Sequence, residues 1–368
     1  MEGATYLNFF ILLLHVYSSG KRNATMLIAA ILQVLIVELT FDDSDRWHAQ
    51  ALVMLVPSHV PLYTVLLRAQ LYYMTFVATS RLRINPFLQP FAMGFLIIML
   101  TFPFEMMGTK FLWWTWHDTD PLLHSRIMGI PCHVLFYYYF FAFAFLSVHH
   151  ILCSTWLVDV KYSNVHWKSE WGYVLLMPFI ATIFAMFFLI LGYYGTVYFL
   201  KIDAQAMLFT LMGLSSLLAW LADRERDDTQ IQKQLGPEDA YDSDWLNPSF
   251  DHAVNQMAFL LYAFLILLVL FIDPTEIVSL GLHQPLGNCL ESESFYSHVG
   301  MQFHRKKYLC VHEFEEDYIL CNYPVKQLLY EDMWYMICGR SYQNYPTYLM
   351  LSISSFLGIN MLLIQADA

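Results

Sequence analysis

One apolar run decides the fold class: residues 175–191 read LLMPFIATIFAMFFLIL. About 20 predominantly apolar residues cross the ~30 Å hydrocarbon core of a bilayer as a helix. Comparable runs occupy residues 24–41, 87–101 and 259–272. Each must be helical in lipid, because the bilayer offers backbone groups no hydrogen-bond partners and the runs lack the period-2 alternation of a membrane barrel. The sequence therefore predicts an α-helical membrane protein.

The composition agrees with this class and excludes another. Of the 368 residues, 58% are hydrophobic and only 14% are charged, whereas soluble domains contain roughly 25% charged residues. The formal net charge of -12 argues against a basic surface for nucleic acid or anionic lipid headgroups. We therefore expect no nucleic-acid partner.

We expect an all-α fold, a polytopic transmembrane helix bundle of about nine spans with a disulfide-bearing luminal loop. The first predicted span has the length of a signal-peptide core, but Glu2 is its only preceding charged residue, so we interpret it as a short span. The predicted spans are residues 4–18, 24–41, 60–79, 87–107, 127–150, 171–193, 200–222, 253–272 and 346–364. The predicted organisation is a bundle over 1–272 with an acidic cytosolic loop at 223–252, a luminal cysteine-containing loop at 273–345, and a last span with a short cytosolic tail at 346–368.

Lysine and arginine counts in alternate short loops predict the orientation, since such charges are retained in the cytosol. The loops after spans one, three, five and seven contain nine of these residues, and the loops after spans two, four and six contain four. We therefore expect a luminal or exterior N-terminus and a cytosolic C-terminus.

Four cysteines lie in the long loop before the last predicted span: Cys289, Cys310, Cys321 and Cys338. The predicted orientation places them in an oxidising compartment, where they predict two disulfides. The sequence leaves three pairings open, and unrelated free thiols are the alternative. We interpret Cys132 and Cys153 as small core residues of span five.

Ionisable residues inside the predicted spans form a candidate site, because such groups cost several kcal/mol in lipid and often serve function. They are Glu38, Arg68, Glu105 and His133, all in the predicted luminal half. The alternative is an interhelical ion pair between Arg68 and either glutamate that only fixes packing.

Two predicted luminal loops lie above this cluster. One contains Asp42, Asp43, Asp45 and His48, and the other contains Trp114, Trp116, His117, Asp118, Asp120 and Arg126. The tryptophans alone are typical of an interfacial belt. Together with the carboxylates, histidine and arginine they indicate a lipid-headgroup site or an acid-base centre.

Metal and cofactor chemistry is not indicated. No histidine pair has the His-x-x-x-His spacing of membrane di-iron enzymes, and a single Asp118-Thr119-Asp120 is a weak metal-nucleotide signal. We found neither a phosphate-binding glycine-rich loop nor a nucleophile elbow. We expect no metal and no other cofactor.

Two family resemblances add expectations. Spans two to five, with Glu38, Glu105, Trp114-x-Trp116, Asp120-Pro121 and Gly129-Ile130-Pro131, resemble the small multispan carotenoid cyclase and hydratase proteins, which implies protonation of isoprenoid double bonds by embedded acids. The whole chain resembles a multispan membrane family of invertebrate animals that we connect with the Intake-type subunit of bridge-like lipid-transfer complexes. That resemblance implies an endoplasmic reticulum location and phospholipid as ligand.

Three functional hypotheses follow. The first is a non-enzymatic membrane subunit that binds or channels phospholipid or another membrane lipid and anchors a larger lipid-transfer protein. The second is an intramembrane enzyme acting on an isoprenoid or lipid, with Glu38 or Glu105 as acid and His133 beside them. The third is a transporter, since buried charges in many spans also suit solute movement.

Overall fold

The computed structural model describes residues 1–19, 21–41, 46–57, 59–82, 84–155, 167–224, 251–281, 283–297, 299–311, 317–321 and 335–367. In these residues nine long helices follow one another along the chain. They are α1 (Glu2–Ser19), α2 (Lys21–Phe41), α3 (Leu62–Arg81), α4 (Gln89–Lys110), α5 (Cys132–Thr155), α6 (Trp167–Leu189), α7 (Ala204–Arg224), α8 (Asp251–Phe271) and α9 (Tyr345–Asp367). Most of the predicted acidic loop at 223–252, together with Asp42, Asp43 and Asp45, lies outside the described residues.

The helices form one bundle around α3, α4 and α5. Helix α5 packs on α4 and α6, α2 packs on α3 and α6, and the pair α8 and α9 closes the side next to α1 and α4. Six helices of the described chain are long and apolar enough to cross a membrane: α2, α4, α5, α6 with its extension, α7 and α8. Helices α1, α3 and α9 fall outside that group. The described residues therefore contain nine helices where nine spans are predicted, and six of these helices qualify as membrane spans.

Several helix boundaries differ from the predicted ones by a few residues, and the start of α5 differs for an identifiable reason. Helix α5 begins at Cys132 rather than 127, because Arg126–Ile127 and Ile130–Pro131 pair as a hairpin. Its turn residues Met128 and Gly129 both have positive φ, as a two-residue primed turn requires. Helix α6 continues as a π-helical segment, Ile190–Phe199, beyond the predicted end at 193.

The all-α prediction is incomplete, because the loops at one end of the bundle contain short strands. In chain order they are β1 (Arg46–His48), β2 (Met54–Val56), β3 (Val60–Pro61), β4 (Trp114–Trp116), β5 (Arg126–Ile127), β6 (Ile130–Pro131), β7 (Val278–Gly281), β8 (Ser292–Tyr296), β9 (Gln302–Lys306), β10 (Tyr318–Leu320) and β11 (Tyr335–Gly339). We call the described residues 46–61, 111–131 and 272–344 the cap.

Backbone pairing joins the three loops of the cap into one unit. Strand β1 of the α2–α3 loop pairs antiparallel with β4 of the α4–α5 loop, and Ala49 then bridges to Gly281 at the end of β7. Strand β7 belongs to a three-stranded sheet of order β10-β11-β7, while β8 and β9 form a separate hairpin. Loops far apart in sequence are thereby fixed against one another.

Both predicted disulfides are present in the cap. They join Cys289 to Cys310 and Cys321 to Cys338, which selects one of the three pairings that the sequence left open. The second links β11 to the residue that follows its neighbour β10. Each crosslink closes a loop and so lowers the entropy of the unfolded cap.

A glycine on α4 leaves room for a tryptophan of the cap to pack against the helix. A Cβ added at Gly108 would overlap the indole of Trp114, a side chain that is almost fully buried. We expect Gly108→Ala to lower the free energy of unfolding by about 1–3 kcal/mol, the usual cost of overpacking a dense core. Thermal unfolding of the detergent-solubilised protein measures this.

Gly213 on α7 is the matched control, because nothing lies within 4 Å of a Cβ built there. Gly213→Ala should be neutral or stabilise the helix by roughly 0.5–1 kcal/mol, since alanine loses less backbone entropy than glycine. Equal destabilisation by both substitutions would contradict the close packing of Trp114 on α4.

Candidate functional site

Four charged side chains meet where the cap joins the bundle, and we call them the ion cluster: Glu38 of α2, Arg46 of β1, Arg68 of α3 and Glu105 of α4. Arg46 Nη2 donates to Glu38 Oε2 over 2.9 Å, and Arg68 pairs with the other oxygen of the same carboxylate. Arg68 Nη2 also lies 3.7 Å from Glu105 Oε1, to which the Tyr138 hydroxyl donates a hydrogen bond. The formal charges sum to zero, which buried ions require.

Aromatic rings surround the two guanidinium groups. Arg46 lies 6.0 Å from the ring centroid of Trp114 and 5.3 Å from that of Trp116. Arg68 lies 5.8 Å from the ring of Tyr138. The register of β1 on β4 pairs Arg46 with Trp116 and His48 with Trp114. Cation–π attraction strengthens as water is excluded, so these rings stabilise the arginines in their buried positions.

A cavity adjoins the ion cluster between α2 and α5. The space between its walls, with the open solvent at its mouth included, is about 750 Å³. Its charged wall consists of Glu38, Arg46 and Arg68. The remaining lining is Gln33, Val34, Val37, Tyr72, Trp116, Leu123, His133, Val134, Tyr137, Tyr138 and Phe141. The cavity is therefore polar at one wall and mostly apolar elsewhere.

The aromatic wall of the cavity follows from helical periodicity. His133, Tyr137 and Phe141 are spaced four residues apart and so lie along one face of α5. The rings of Tyr137 and Phe141 stack with centroids 5.4 Å apart, and His133 contacts Tyr137 edge-on at 4.7 Å. On the opposite wall Gln33 donates to Thr182 of α6 over 3.0 Å. Polarity thus decreases from the ion cluster along the face of α5.

The other predicted site residues of the α4–α5 loop hold the cap together. Gln284 Nε2 lies 3.2 Å from His117 Nε2, and the side-chain oxygen of Gln284 accepts the Asp118 backbone N–H over 3.1 Å. Asp120 pairs with Arg305 of β9 at 2.8 Å. Arg126 donates to the backbone oxygens of Leu123 and His117. These four predicted residues therefore join the α4–α5 loop to itself and to the disulfide-bearing part of the cap.

Burial sets the protonation of the cap histidines. Desolvation, followed by the charges of Arg305 and Arg126, lowers the pKa of His117 to about 3. Desolvation alone lowers the pKa of His283 to about 4. The His117 imidazole is therefore neutral at physiological pH. A neutral imidazole keeps one acceptor nitrogen, which an imidazolium lacks, and His117 Nε2 lies within hydrogen-bond distance of the Gln284 amide nitrogen.

The structure brings some predicted residues to the cavity and not others. Glu38, Arg68, Trp116 and His133 line it. Glu105 lies behind Arg68, and Trp114 behind Arg46. The remaining predicted polar residues, which are His117, Asp118, Asp120 and Arg126, take part in the cap contacts instead. Among the described residues no group of three or more His, Cys, Asp or Glu side chains is placed to hold a metal ion.

Sequence reasoning missed Arg46 and Tyr138 as members of the site. Arg46 lies outside every predicted span, and only the pairing of β1 with β4 carries it back over the bundle. Tyr138 is one of three consecutive tyrosines, 137–139, and only the helical phase relative to Glu105 distinguishes it. A single arginine in a predicted loop gives no signal by itself.

The fold and the site together define a class: an α-helical integral membrane protein with a disulfide-linked cap over a buried ion cluster. Comparison with protein families identifies the family. The family model described as "Domain of unknown function (DUF7802)" matches residues 2–367, so the chain belongs to that family. Comparisons with curated proteins and with solved structures gave no match.

The first prediction from the site concerns Glu38, the carboxylate shared by both arginines. Glu38→Gln should lower the free energy of unfolding by about 3–5 kcal/mol, because it leaves two buried guanidinium groups without their common counter-ion. Glu293→Gln is the control, since Glu293 pairs with Arg305 but is partly exposed, and should cost about 1 kcal/mol or less. Chemical denaturation in detergent compares them, and equal effects would contradict a stabilising role of the shared carboxylate.

The second prediction concerns acid stability. The pKa of His117 is about 3 in the folded state, against an ordinary value of 6.5 in the unfolded state. The contribution of His117 to the free energy of unfolding is therefore fully present above pH 6.5 and is lost as the pH falls towards 3. The limiting slope is about 1.4 kcal/mol per pH unit for one histidine. Melting temperatures of His117→Gln between pH 7 and 4 should fall less steeply than those of the wild type.

Two controls separate His117 from the rest of the protein. His283 titrates in the same direction and leaves a residual slope in the variant. His124 of the same loop is exposed, and His124→Gln is the matched substitution there. An unchanged slope in His117→Gln would show that the imidazole is not desolvated by the cap.

Proposed function

We propose that this protein is a non-enzymatic integral membrane subunit that binds or channels lipid and anchors a larger lipid-transfer protein at the endoplasmic reticulum membrane. The cavity beside the ion cluster carries the lipid part of this proposal. It combines a charged wall, made of Arg46, Arg68 and Glu38, with a lining that is mostly apolar elsewhere. A phospholipid has the same division, with a charged headgroup next to apolar chains.

The position of the cavity supports access from the bilayer. Its lining comes from α2, α3, α5 and the cap, and although α6 packs on both α2 and α5, it adds no described residue to that lining. Val37, Val134 and Tyr137 on these two helices are partly exposed. A lipid at this flank would keep its chains in the membrane while its headgroup reaches the ion cluster.

The proposed topology has nine spans with the cap in the lumen. The carboxylate of Glu2 accepts the backbone N–H of Leu52 over 3.0 Å, which puts the start of α1 on the cap side. Helices α1, α3 and α9 have 18, 20 and 23 residues, or about 27–35 Å at 1.5 Å per residue. Nine crossings from a luminal N-terminus end in the cytosol, and an oxidising lumen suits the two disulfides.

The surface of the cap supports a protein partner. In the described residues Val278, Leu280 and Ile319 are about half exposed, and Leu290 is almost fully exposed. The first three lie on the three-stranded sheet. Exposed apolar clusters of this kind mark interaction surfaces more often than isolated apolar residues do. The identity of the partner as a lipid-transfer protein rests on the family resemblance.

The contacts of Glu38 and Glu105 are less favourable to the second hypothesis, an intramembrane enzyme that uses one of them as an acid. Both oxygens of Glu38 are engaged by arginine guanidinium groups, so neither is left to face a substrate double bond. Glu105 already accepts a hydrogen bond from the Tyr138 hydroxyl and does not line the cavity. No described contact favours the transporter over the lipid-binding subunit.

The test uses a pair of substitutions on α2. Val37 lines the cavity, whereas Leu39 is 57% exposed and lies outside it. The full-length tagged protein, purified from endoplasmic reticulum membranes in mild detergent, should retain about one phospholipid per chain and a much larger protein partner. Val37→Trp should remove most of the phospholipid, because the indole fills the cavity, while Leu39→Trp should not.

Both variants should still co-purify the larger partner, since the substitutions leave the cap unchanged. Mass spectrometry of the extracted lipid and of the purified complex gives the two readouts. A solitary protein without phospholipid would overturn the proposal.

A further inference from the structure

The two arginines of the ion cluster differ in how open their guanidinium groups are. The Arg68 side chain is 11% exposed, and that of Arg46 is 3% exposed. Arg68 lines the cavity and also a smaller cavity on the side of Glu105 and Trp114. Arg46 Nε is fully enclosed by protein, whereas no nitrogen of Arg68 is both fully enclosed and without a hydrogen-bond partner. Arg68 is therefore the arginine that a ligand in the cavity can reach.

Part of the Arg68 guanidinium group is left over after its ion pairs. Arg68 Nη1 pairs with Glu38 Oε1, and Arg68 Nη2 lies 3.7 Å from Glu105 Oε1, which is beyond hydrogen-bond length. In the described part of the chain, the polar and ring contacts of Arg68 are these two and the ring of Tyr138. A guanidinium group has several N–H donors. The N–H groups on Nε and Nη2 are therefore available to a ligand.

These N–H groups suit an anionic oxygen. A guanidinium group presents its donors as a planar fork that matches the oxygens of a phosphate. Hydrogen bonds that involve ionised groups are roughly twice as strong as neutral ones, so the ester carbonyl of a lipid is a weaker partner for Arg68 than its phosphate. This preference rests on hydrogen bonding to one guanidinium group and not on the net charge of the site.

The guanidinium group of Arg68 lies at a level that a lipid phosphate can reach. Its partner Glu38 is three residues before Phe41, the end of α2, or about 4.5 Å at 1.5 Å per residue. Arg68 belongs to the second turn of α3, and helical side chains point back towards the N-terminus, which here is the cap end. A lipid of the leaflet on the cap side can therefore bring its phosphate to Arg68 without crossing the membrane.

Taking the proposed lipid-binding function as its basis, we infer that Arg68 binds the phosphate group of a phospholipid from the leaflet on the cap side. The acyl chains lie against the apolar lining beside it, where Val37 and Val134 are partly exposed. Arg68 Nη1 holds Glu38 in the ion cluster, while Nε and Nη2 hold the ligand. The cavity thus selects lipids that carry a phosphate over neutral lipids with the same chains.

The test is lipid capture from vesicles of defined composition. The full-length protein is reconstituted in phosphatidylcholine vesicles that contain smaller, equal amounts of diacylglycerol and free fatty acid, all with oleoyl chains. It is extracted in mild detergent, and the retained lipids are quantified by mass spectrometry relative to the vesicle composition. Phosphatidylcholine should be enriched about tenfold over diacylglycerol, which one hydrogen bond to a charged group supplies. Free fatty acid tests a carboxylate as the alternative anion.

Arginine substitutions locate the selectivity. Arg68→Lys keeps a positive charge beside Glu38 but removes the N–H fork, and Arg68→Gln removes both. The enrichment should fall several-fold in Arg68→Lys and disappear in Arg68→Gln. If Arg68→Gln fails to fold, Arg68→Lys decides, because lysine retains a counter-ion for Glu38. Arg305→Lys is the control and should keep the wild-type enrichment, since Arg305 is a buried arginine of the cap that pairs with Asp120 and does not line the cavity.

The outcomes separate phosphate binding from packing and from the proposed function. A lower melting temperature of Arg68→Lys with unchanged enrichment would show that Arg68 only fixes packing, and overturns the inference. Equal retention of phosphatidylcholine and diacylglycerol by the wild type, or a preference for fatty acid, overturns phosphate recognition and leaves lipid binding intact. Retention of no lipid overturns the proposed function itself, and the inference with it.

Discussion

The shared carboxylate of Glu38 is the contact on which the upper part of the molecule depends. Through Arg46 it holds the cap, and through Arg68 it holds α3 and, by way of Glu105 and Tyr138, α4 and α5. One buried anion therefore joins four helices and a strand. Such a junction tolerates few substitutions, because its members lie largely out of solvent and the loss of one leaves an opposite charge unpaired.

The cap extends this constraint outward. Strand β1 carries Arg46 into the cluster, and its pairing with β4 and the following bridge to β7 tie that arginine to the disulfide-bearing loop. Asp120 with Arg305, and Gln284 with His117, add side-chain links between the same loops. The two disulfides restrict the loop between α8 and α9, which is the part of the cap farthest in sequence from Glu38 and Arg46. The contacts that hold the loops of the cap together thus also hold Arg46 in its ion pair with Glu38.

Periodicity and polarity account for what the sequence could predict. The apolar runs located all nine helices to within several residues, because length and hydrophobicity are local properties. Charges are rare in those runs, which is why Glu38, Arg68 and Glu105 stand out in the sequence. Their convergence follows from three helices that end at one level.

The position of Arg46 could not be predicted in this way, because it depends on the long-range pairing of β1 with β4. The strands of the cap are two to five residues long, too short for a period of two to stand out. The disulfide pairing depends on β10 and β11 being neighbours, which spacing alone does not specify.

Within the described residues, the four charged side chains of the ion cluster pair with one another without a ligand. If a headgroup supplied one of the four charges, its departure would leave a buried ion unpaired, and release would be slow. Here the arginines keep Glu38, and Arg68 keeps Glu105, whether the cavity is filled or empty. A headgroup gains only the surplus attraction of the exposed part of Arg68 and of the aromatic wall. A weak surplus attraction favours exchange over storage, since affinity differences among related complexes reside mainly in the dissociation rate. That property is consistent with the proposed function, in which lipid passes through the subunit and is not stored there.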